Sequence, residues 1–286
     1  MQGFVHLHVH TEYSLVDGVV RIDSERSEDG QLVREGLIDA TARQGMPSVA
    51  LTDQGNLFAL VKFYRSAQAR GIKPLIGVDA WLREDGERAE PSRLVLLCQN
   101  EGGYRNLTRI VSRSYLEGRG KHGPMIDRAW LDVDTTGGLI ALSGAREGDI
   151  GRLLVAGRMS EARQLLDGWL ALFGDRFYLE LQRTGRAGEE QCIVGSLELA
   201  GSVGVPLVAT NDVRFLRRDD YEAHEARVCI REGARLADPA RPRRYSDQQY
   251  LRSPDEISNV FSDIPEAVEN SLEVARRLNL ELRLGK

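Results

Sequence analysis

Short apolar runs alternate with helix-patterned segments along most of this chain, and that alternation leaves few folds open to it. Gly3–Val9, Ser48–Leu51, Pro74–Leu82, Arg93–Cys98, Leu139–Leu142, Phe177–Leu181 and Pro206–Ala209 read as strands. Asp17–Gly30 is polar and charged and reads as a solvated loop. Gln31–Arg43 reads as a helix, because Leu32, Leu37, Ile38 and Ala42 recur at helical spacing before Gly45. Leu57–Ala69, Gly103–Tyr115, Ile150–Val155, Ser160–Phe173 and Gly188–Ser202 read the same way. Beyond Ala209 the chain turns mainly helical, through Tyr221–Arg231, Pro254–Phe261 and Pro265–Leu278. Strands separated by helices pair in parallel through right-handed crossovers. Seven or eight of them favour a barrel over an open sheet within the α/β class.

A chain of 286 residues suits one large domain or two small ones and buries a full core without staples. No apolar run approaches the ~20 residues of a membrane span. His6, His8 and His10 interrupt the first apolar stretch, so no secretory leader is expected. These features predict a cytoplasmic protein with no membrane contact. Cys98, Cys192 and Cys229 form no metal or redox motif and are expected as buried thiols. A net charge of −5 argues against unaided binding to duplex DNA. Arginine far outnumbers lysine, which occurs at Lys62, Lys73, Lys121 and Lys286. Codon bias in a GC-rich genome explains that better than phosphate recognition does.

Strand ends carry the candidate chemistry, because barrel sites gather there. His8 and His10 lie two apart, so in a strand they share a face about 7 Å apart at Cα, with Asp17 just beyond. Two imidazoles and a carboxylate can begin a Zn²⁺ or Mn²⁺ site, or can equally be hydrogen-bonded loop residues. Thr52-Asp53-Gln54-Gly55, Asp79, Arg93, Ser143-Gly144-Ala145 and Asn211-Asp212-Val213-Arg214 sit at the other strand ends. Asp53 reads best as a turn or cap residue for the helix at Leu57, and Asn211-Asp212 reads as a possible turn. His6 shares the parity of His8 but lies deeper, which suits a supporting or core role. His122 and His224 lack convergent partners and read as ordinary surface or helix residues.

At these residues the chain resembles a known family. HLHVHTEYS, ALTDQGNLFAL, GIKPLIGVDAWL, GYRNL, GLIALSG and VATNDVRFL are similar to the PHP (polymerase and histidinol phosphatase) domain. They are closest to its version at the start of bacterial DNA polymerase III alpha subunits, and the resemblance runs from Phe4 to Gly285. It implies a distorted seven-stranded βα barrel of the TIM-like kind, with extra C-terminal helices. It also implies a PHP domain over 1–275, with 276–286 starting the connection to a polymerase palm. In active members of the family a cage of about nine residues holds up to three metal ions. By that resemblance His8, His10, Asp17 and Asp212 keep ligand positions, and Asp79 replaces a glutamate. Gln54, Arg93, Ala145 and Arg214 stand where the other ligands would be.

Arginine cannot ligate a metal, but its fixed charge can pair with carboxylates. The expectation is therefore a vestigial metal site turned into a salt-bridged network, with no catalytic residue and no required cofactor. A single weakly held Zn²⁺ or Mn²⁺ on His8, His10 and Asp212 is the alternative occupancy. The function implied is a non-catalytic scaffold that docks the proofreading exonuclease subunit and packs on the palm and thumb in cis. DNA would be met only through the whole polymerase, a nucleotidyltransferase. The competing reading is an active metal-dependent phosphoesterase: a 3′–5′ exonuclease, a phosphatase or a pyrophosphatase. A free-standing histidinol-phosphate phosphatase would need the complete cage. The charged stretch 23–30 looks like an insertion without an assigned role.

Overall fold

A computed structural model describes residues 3–83, 90–121 and 123–285. Its strands are β1 (Glu25–Arg26), β2 (Leu32–Arg34), β3 (Ser48–Leu51), β4 (Lys73–Arg83), β5 (Ser92–Cys98), β6 (Arg119–Gly120), β7 (Gly123–Asp127), β8 (Leu139–Leu142), β9 (Phe177–Gln182) and β10 (Leu207–Thr210). Its α-helices are α1 (Leu37–Arg43), α2 (Leu60–Ala69), α3 (Glu101–Leu116), α4 (Asp149–Val155), α5 (Met159–Phe173), α6 (Glu189–Val203), α7 (Tyr221–Glu232), α8 (Pro254–Val260) and α9 (Pro265–Arg277). Among the described residues no helix is long and apolar enough to cross a membrane.

The chain forms a mixed α/β fold around one main sheet, ordered β10-β9-β8-β5-β4-β7-β6, with β3 also paired to β4. Not every crossover is parallel as predicted. β5 runs antiparallel to both β4 and β8, because only residues 84–91 separate it from β4, too short a stretch for a crossover. The named strands do not close into a ring among the described residues. Instead the extended segment 5–10 lies between β3 and the chain just past β10. His6 O accepts from Ala50 N at 2.9 Å, Val9 O from Thr52 N at 3.0 Å, and His8 O from Val213 N at 3.0 Å. Only a single bridge, Val9 to Val213, is regular there, so Gly3–Val9 is not the regular strand expected.

Two further expectations change. Residues 25–34, the end of Asp17–Gly30 with the start of Gln31–Arg43, form the β1–β2 hairpin, turned at Gly30 with φ +83°. The helix waits until Leu37 because Gly36 passes so close to the Asp23 backbone that a Cβ would lie 2.3 Å from its carbonyl carbon. The β6–β7 hairpin was not anticipated.

The inner face of the sheet is layered. Val5, Leu7, Leu75, Val95, Leu97, Ile140, Leu142, Tyr178 and Val208 form an apolar layer that α9 closes with Val274, Ala275 and Leu278. By strand alternation the same face continues as Asp79 on β4, Arg93 on β5, Glu180 and Gln182 on β9 and Thr210 on β10. Because β5 is antiparallel, its first residues lie at the end where the parallel strands finish. The other sheet face packs on α1 to α6 through the larger apolar cluster.

Helix α3 is seated by Gly103. A Cβ there would come 1.8 Å from Gly138 O. Gly103→Ala is expected to cost ~2–3 kcal/mol through overpacking against backbone that cannot rotate away. A urea-unfolding midpoint unchanged from wild type would contradict that seating.

Candidate metal centre

The polar layer of the inner face is a buried charge network. His8 Nδ1 lies 2.7 Å from Glu180 Oε1, and its Nε2 lies 3.3 Å from Asp79 Oδ2 and 3.5 Å from Asp212 Oδ1. His10 Nε2 is 3.1 Å from Asp79 Oδ2, and its Nδ1 is 3.5 Å from Asp17 Oδ1. Five of the predicted positions thus converge: His8, His10, Asp17, Asp79 and Asp212, each at most 3% exposed. The segment bearing His8 and His10 departs from regular alternation. Leu7 joins the inner apolar layer directly before His8, and His6 turns outward to the Arg252 carbonyl at 2.8 Å.

Two of the four positions expected to have lost a ligand enter the network as cations. Arg93 Nη1 donates to Asp79 Oδ2 at 2.6 Å, while its guanidinium lies over the Trp81 ring at 4.7 Å. Arg214 donates through Nε and Nη2 to Asp212 Oδ1 at 2.9 and 2.6 Å. Its Nη1 reaches Asp17 Oδ2 at 2.5 Å as a close ion contact rather than an aligned hydrogen bond. The other two stay out. Gln54 spends its amide on the Asp79 carbonyl at 2.9 Å, and Ala145 is buried at φ +47° in a turn after Gly144.

Sequence reasoning missed several partners. Arg186 donates to Gln182 Oε1 at 2.7 Å and approaches Asp212 Oδ2 at 3.4 Å and Glu147 Oε2 at 3.2 Å. Glu147 also faces Arg93 Nε at 3.6 Å, and Tyr245 donates to Asp17 Oδ2 at 2.8 Å. Glu180 accepts from Thr210 Oγ1 and Gln182 Nε2 as well as meeting His8. A signal was present for Glu180: a glutamate and a glutamine two apart in an otherwise apolar strand. Arg186 and Tyr245 come from connecting segments and left no periodic trace.

Asp53 and His224 need correction. Asp53 does not cap α2, whose N-cap, Ala59, has no side-chain bond. Asp53 is fully buried and accepts from Thr11 N at 2.6 Å and Ser14 Oγ at 2.8 Å, fixing the turn after His10. His224 is a helix residue but not a surface one. It is fully buried, with Nε2 3.0 Å from Asp17 O and its ring edge-on to Tyr245. Asn211 is buried too, donating to the carbonyls of Gln248 and Tyr250. His122 lies outside the described residues. Cys98, Cys192 and Cys229 are buried free thiols, as expected.

Burial alone would raise the carboxyls of Asp17, Asp79 and Asp212, yet the facing cations outweigh it. Arg214 pulls Asp17 and Asp212 well below the usual carboxylate range, and Arg93 does the same to Asp79. Burial likewise disfavours a charged His8, but Glu180, Asp212 and Asp79 lift it to about 10. His8 is therefore an imidazolium at neutral pH. The network sets Arg93, Arg186, Arg214 and His8 against Asp17, Asp79, Asp212, Glu147, Glu180 and Glu189, four positive groups for six negative.

The donor set offers a place for one ion. His8, His10 and Asp212 each offer an atom within 4.8 Å of the others. The Nε2 atoms of His8 and His10 are 3.4 Å apart and lie 3.3 and 3.1 Å from Asp79 Oδ2. A tetrahedral ion with bonds of about 2.0–2.1 Å spaces its ligands roughly 3.3–3.4 Å apart. Binding would have to displace the His8 proton and share Asp212 Oδ1 with Arg214. It would also share Asp79 Oδ2 with Arg93, while Asp79 Oδ1 and Asp17 Oδ1 carry no hydrogen bond.

The sequence profile of the PHP domain matches residues 6–184. Over 284 residues the chain is 50% identical to DNA polymerase III subunit alpha of Pseudomonas aeruginosa and 48% identical to that of Pseudomonas fluorescens. Over 283 residues it is 44% identical to DNA polymerase III subunit alpha of Escherichia coli K12. Each match covers 99% of this chain and 23% of the relative. The chain thus spans about a quarter of the length of the curated relatives it matches.

Two outcomes follow from the network. Arg214→Met strands Asp17 and Asp212 in the interior and is expected to cost ~3–5 kcal/mol, read as a drop in urea midpoint. A loss under 1 kcal/mol would mean the pairs are solvent-screened. The pH dependence has two limbs. His8, raised to about 10 from 6.5, stabilises fully below pH 6.5 and less as pH climbs toward 10. Burial lowers His6 and His224 to about 4, so both stabilise fully above pH 6.5 and lose that contribution on the way down to 4. Urea titrations should show His8→Gln flattening the alkaline limb and the His6→Gln/His224→Gln pair flattening the acid limb. Parallel profiles for wild type and variants would refute the assignment.

Proposed function

The chain belongs to the PHP domain family, and from that premise we propose that it serves as the N-terminal domain of a bacterial DNA polymerase III alpha subunit, acting as a non-catalytic scaffold. One observation carries this reading: Arg93 and Arg214 point their guanidinium groups at Asp79, Asp17 and Asp212, where metal charge would otherwise balance those carboxylates. Hydrolysis by a metal cluster needs bridging oxygens and an activated water; these pairs take Asp79 Oδ2, Asp17 Oδ2 and Asp212 Oδ1, and leave Asp79 Oδ1 and Asp17 Oδ1 without a hydrogen bond. In this reading the salt-bridged network braces the mouth of a distorted barrel, with the extended segment 5–10 as the stave between β3 and β10. The domain docks the proofreading exonuclease subunit and packs on palm and thumb in cis. DNA synthesis, and contact with DNA, belong to the whole polymerase.

A second reading has its own support. The near-tetrahedral spacing of His8, His10 and Asp79, with Asp212 beside them, favours one Zn²⁺ or Mn²⁺ and a residual phosphoesterase activity. The ion would act as a Lewis acid on a phosphoryl oxygen. Arg93 and Arg214 would keep their carboxylates oriented in that case.

Metal analysis of chelator-free protein, followed by nuclease and phosphatase assays with added Mn²⁺ or Zn²⁺, separates the two. The scaffold reading expects fewer than one tightly held transition ion per chain and hydrolysis no faster than in Asp212→Asn. Two or more tightly bound ions, or robust hydrolysis that Asp212→Asn abolishes, would overturn it.

A further inference from the structure

The strongest unassigned feature lies outside the charge network, in a groove of 510 Å³ between the start of α2 and the C-terminal half of α3. Leu57, Phe58, Val111, Tyr115 and Leu116 make its walls. Phe58 is 59% exposed and Leu116 83% exposed, which is costly for side chains of this size unless something covers them. The Phe58 and Tyr115 rings stand 6.3 Å apart and tilted by 57°, leaving a cleft rather than a stacked pair.

Charge sets this groove apart from the rest of the molecule. The chain has 43 acidic residues against 38 Lys and Arg, yet no Asp or Glu occurs from Leu57 to Val78 or from Gly102 to Leu116. Both walls therefore come from stretches without acids. Lys62 and Arg65 follow Phe58 at helical spacing, and Arg109 precedes Ser112 and Leu116 on the same stripe of α3. Arg65, Arg109 and Arg119 are exposed, and none has an acidic partner among the described residues. The other cations nearby are engaged: Lys62 with Asp23, Arg105 with Glu101 and Arg113 with Glu117.

We infer that this groove docks an acidic peptide segment with apolar anchors, an amphipathic helix whose leucine or phenylalanine side chains enter between Phe58 and Leu116. Anchors at i, i+3 or i+4, and i+7 match a groove between two helices, and flanking carboxylates pair with Arg65, Arg109 and Arg119. A second copy of this chain fits poorly, because an isologous contact would press one basic rim on another. Single-stranded DNA fits less well: Phe58 and Tyr115 could stack bases, but Leu57, Val111 and Leu116 extend the groove as an aliphatic wall that bases would not fill. The inference deepens the scaffold reading by giving a docking location, and it rests on that reading only for which protein supplies the segment.

The test uses the whole 286-residue chain and two fluorescent helical peptides with leucine at i, i+3, i+4 and i+7. One carries glutamate at its exposed positions and the other lysine. The acidic peptide is expected to bind at least about tenfold tighter than the basic one, and to weaken as salt is raised. Phe58→Ser with Leu116→Ser, and separately Arg109→Glu with Arg119→Glu, should each weaken it by about tenfold or more. Circular dichroism and urea midpoints confirm that these surface variants fold. Equal affinity for the two peptides, unchanged affinity in both variants, displacement by oligo-dT, or a dimer that the Phe58→Ser/Leu116→Ser pair dissolves would each overturn the inference. Purified exonuclease subunit forms a separate arm. Binding that the groove variants weaken supports the inference, and binding that they leave intact overturns it while the scaffold reading stands. No binding to wild type removes the exonuclease from the scaffold reading, and the peptide arm alone then decides the groove.

Discussion

Asp212 lies at the focus of three guanidinium groups. Arg214 holds one oxygen at 2.6 Å, Arg186 approaches the other at 3.4 Å, and Arg93 stands 3.8 Å away. An isolated carboxylate at that depth would lose several kcal/mol of hydration, so it persists as an anion only because fixed positive charge surrounds it. The same arginines tie it to Asp17 and Asp79, and through those carboxylates to His8 and His10. Histidine or a metal could balance the same charge only conditionally, by holding a proton or an ion. Arginine does so at every accessible pH.

The fold makes this arrangement possible by splitting the inner face of the sheet into two layers. Leu75, Val95, Ile140 and Val208 give α9 an apolar floor. Two or four residues further along the same faces, Asp79, Arg93 and Thr210 are polar. The direction of β5 matters most here. Running antiparallel, it delivers Arg93 from its beginning to the level where β4 delivers Asp79 from its later half. The backbone carries some strain at the same level. Ala145 and Asp212 both take positive φ without being glycine, a cost of roughly 1–2 kcal/mol each that the packed surroundings must hold.

Much of the fold was legible because periodicity survives without tertiary knowledge. Most helices and the strands β3, β4, β5, β8, β9 and β10 lie within a few residues of their predicted bounds. The exceptions share a cause: the N-terminal segment, the β1–β2 hairpin and the β6–β7 hairpin are governed by close contacts, such as Gly36 on Asp23, and not by a repeating apolar face. The site was legible where residues follow strand ends. Glu147, Arg186 and Tyr245 were not, because residues from turns and long connections carry no spacing that marks where they point.

By itself, then, the sequence determined that His8, His10, Asp17, Asp79 and Asp212 would be candidates to meet, and that arginine stood at positions 93 and 214. Local patterning carries that much, since strand alternation and strand-end placement are short-range properties. Only the tertiary structure decided that these arginines point inward onto the carboxylates, that Arg186 joins them, and that His8 is held as a cation by Glu180. Those outcomes depend on distances between residues up to some 200 positions apart in sequence, and on burial that makes each unpaired charge costly.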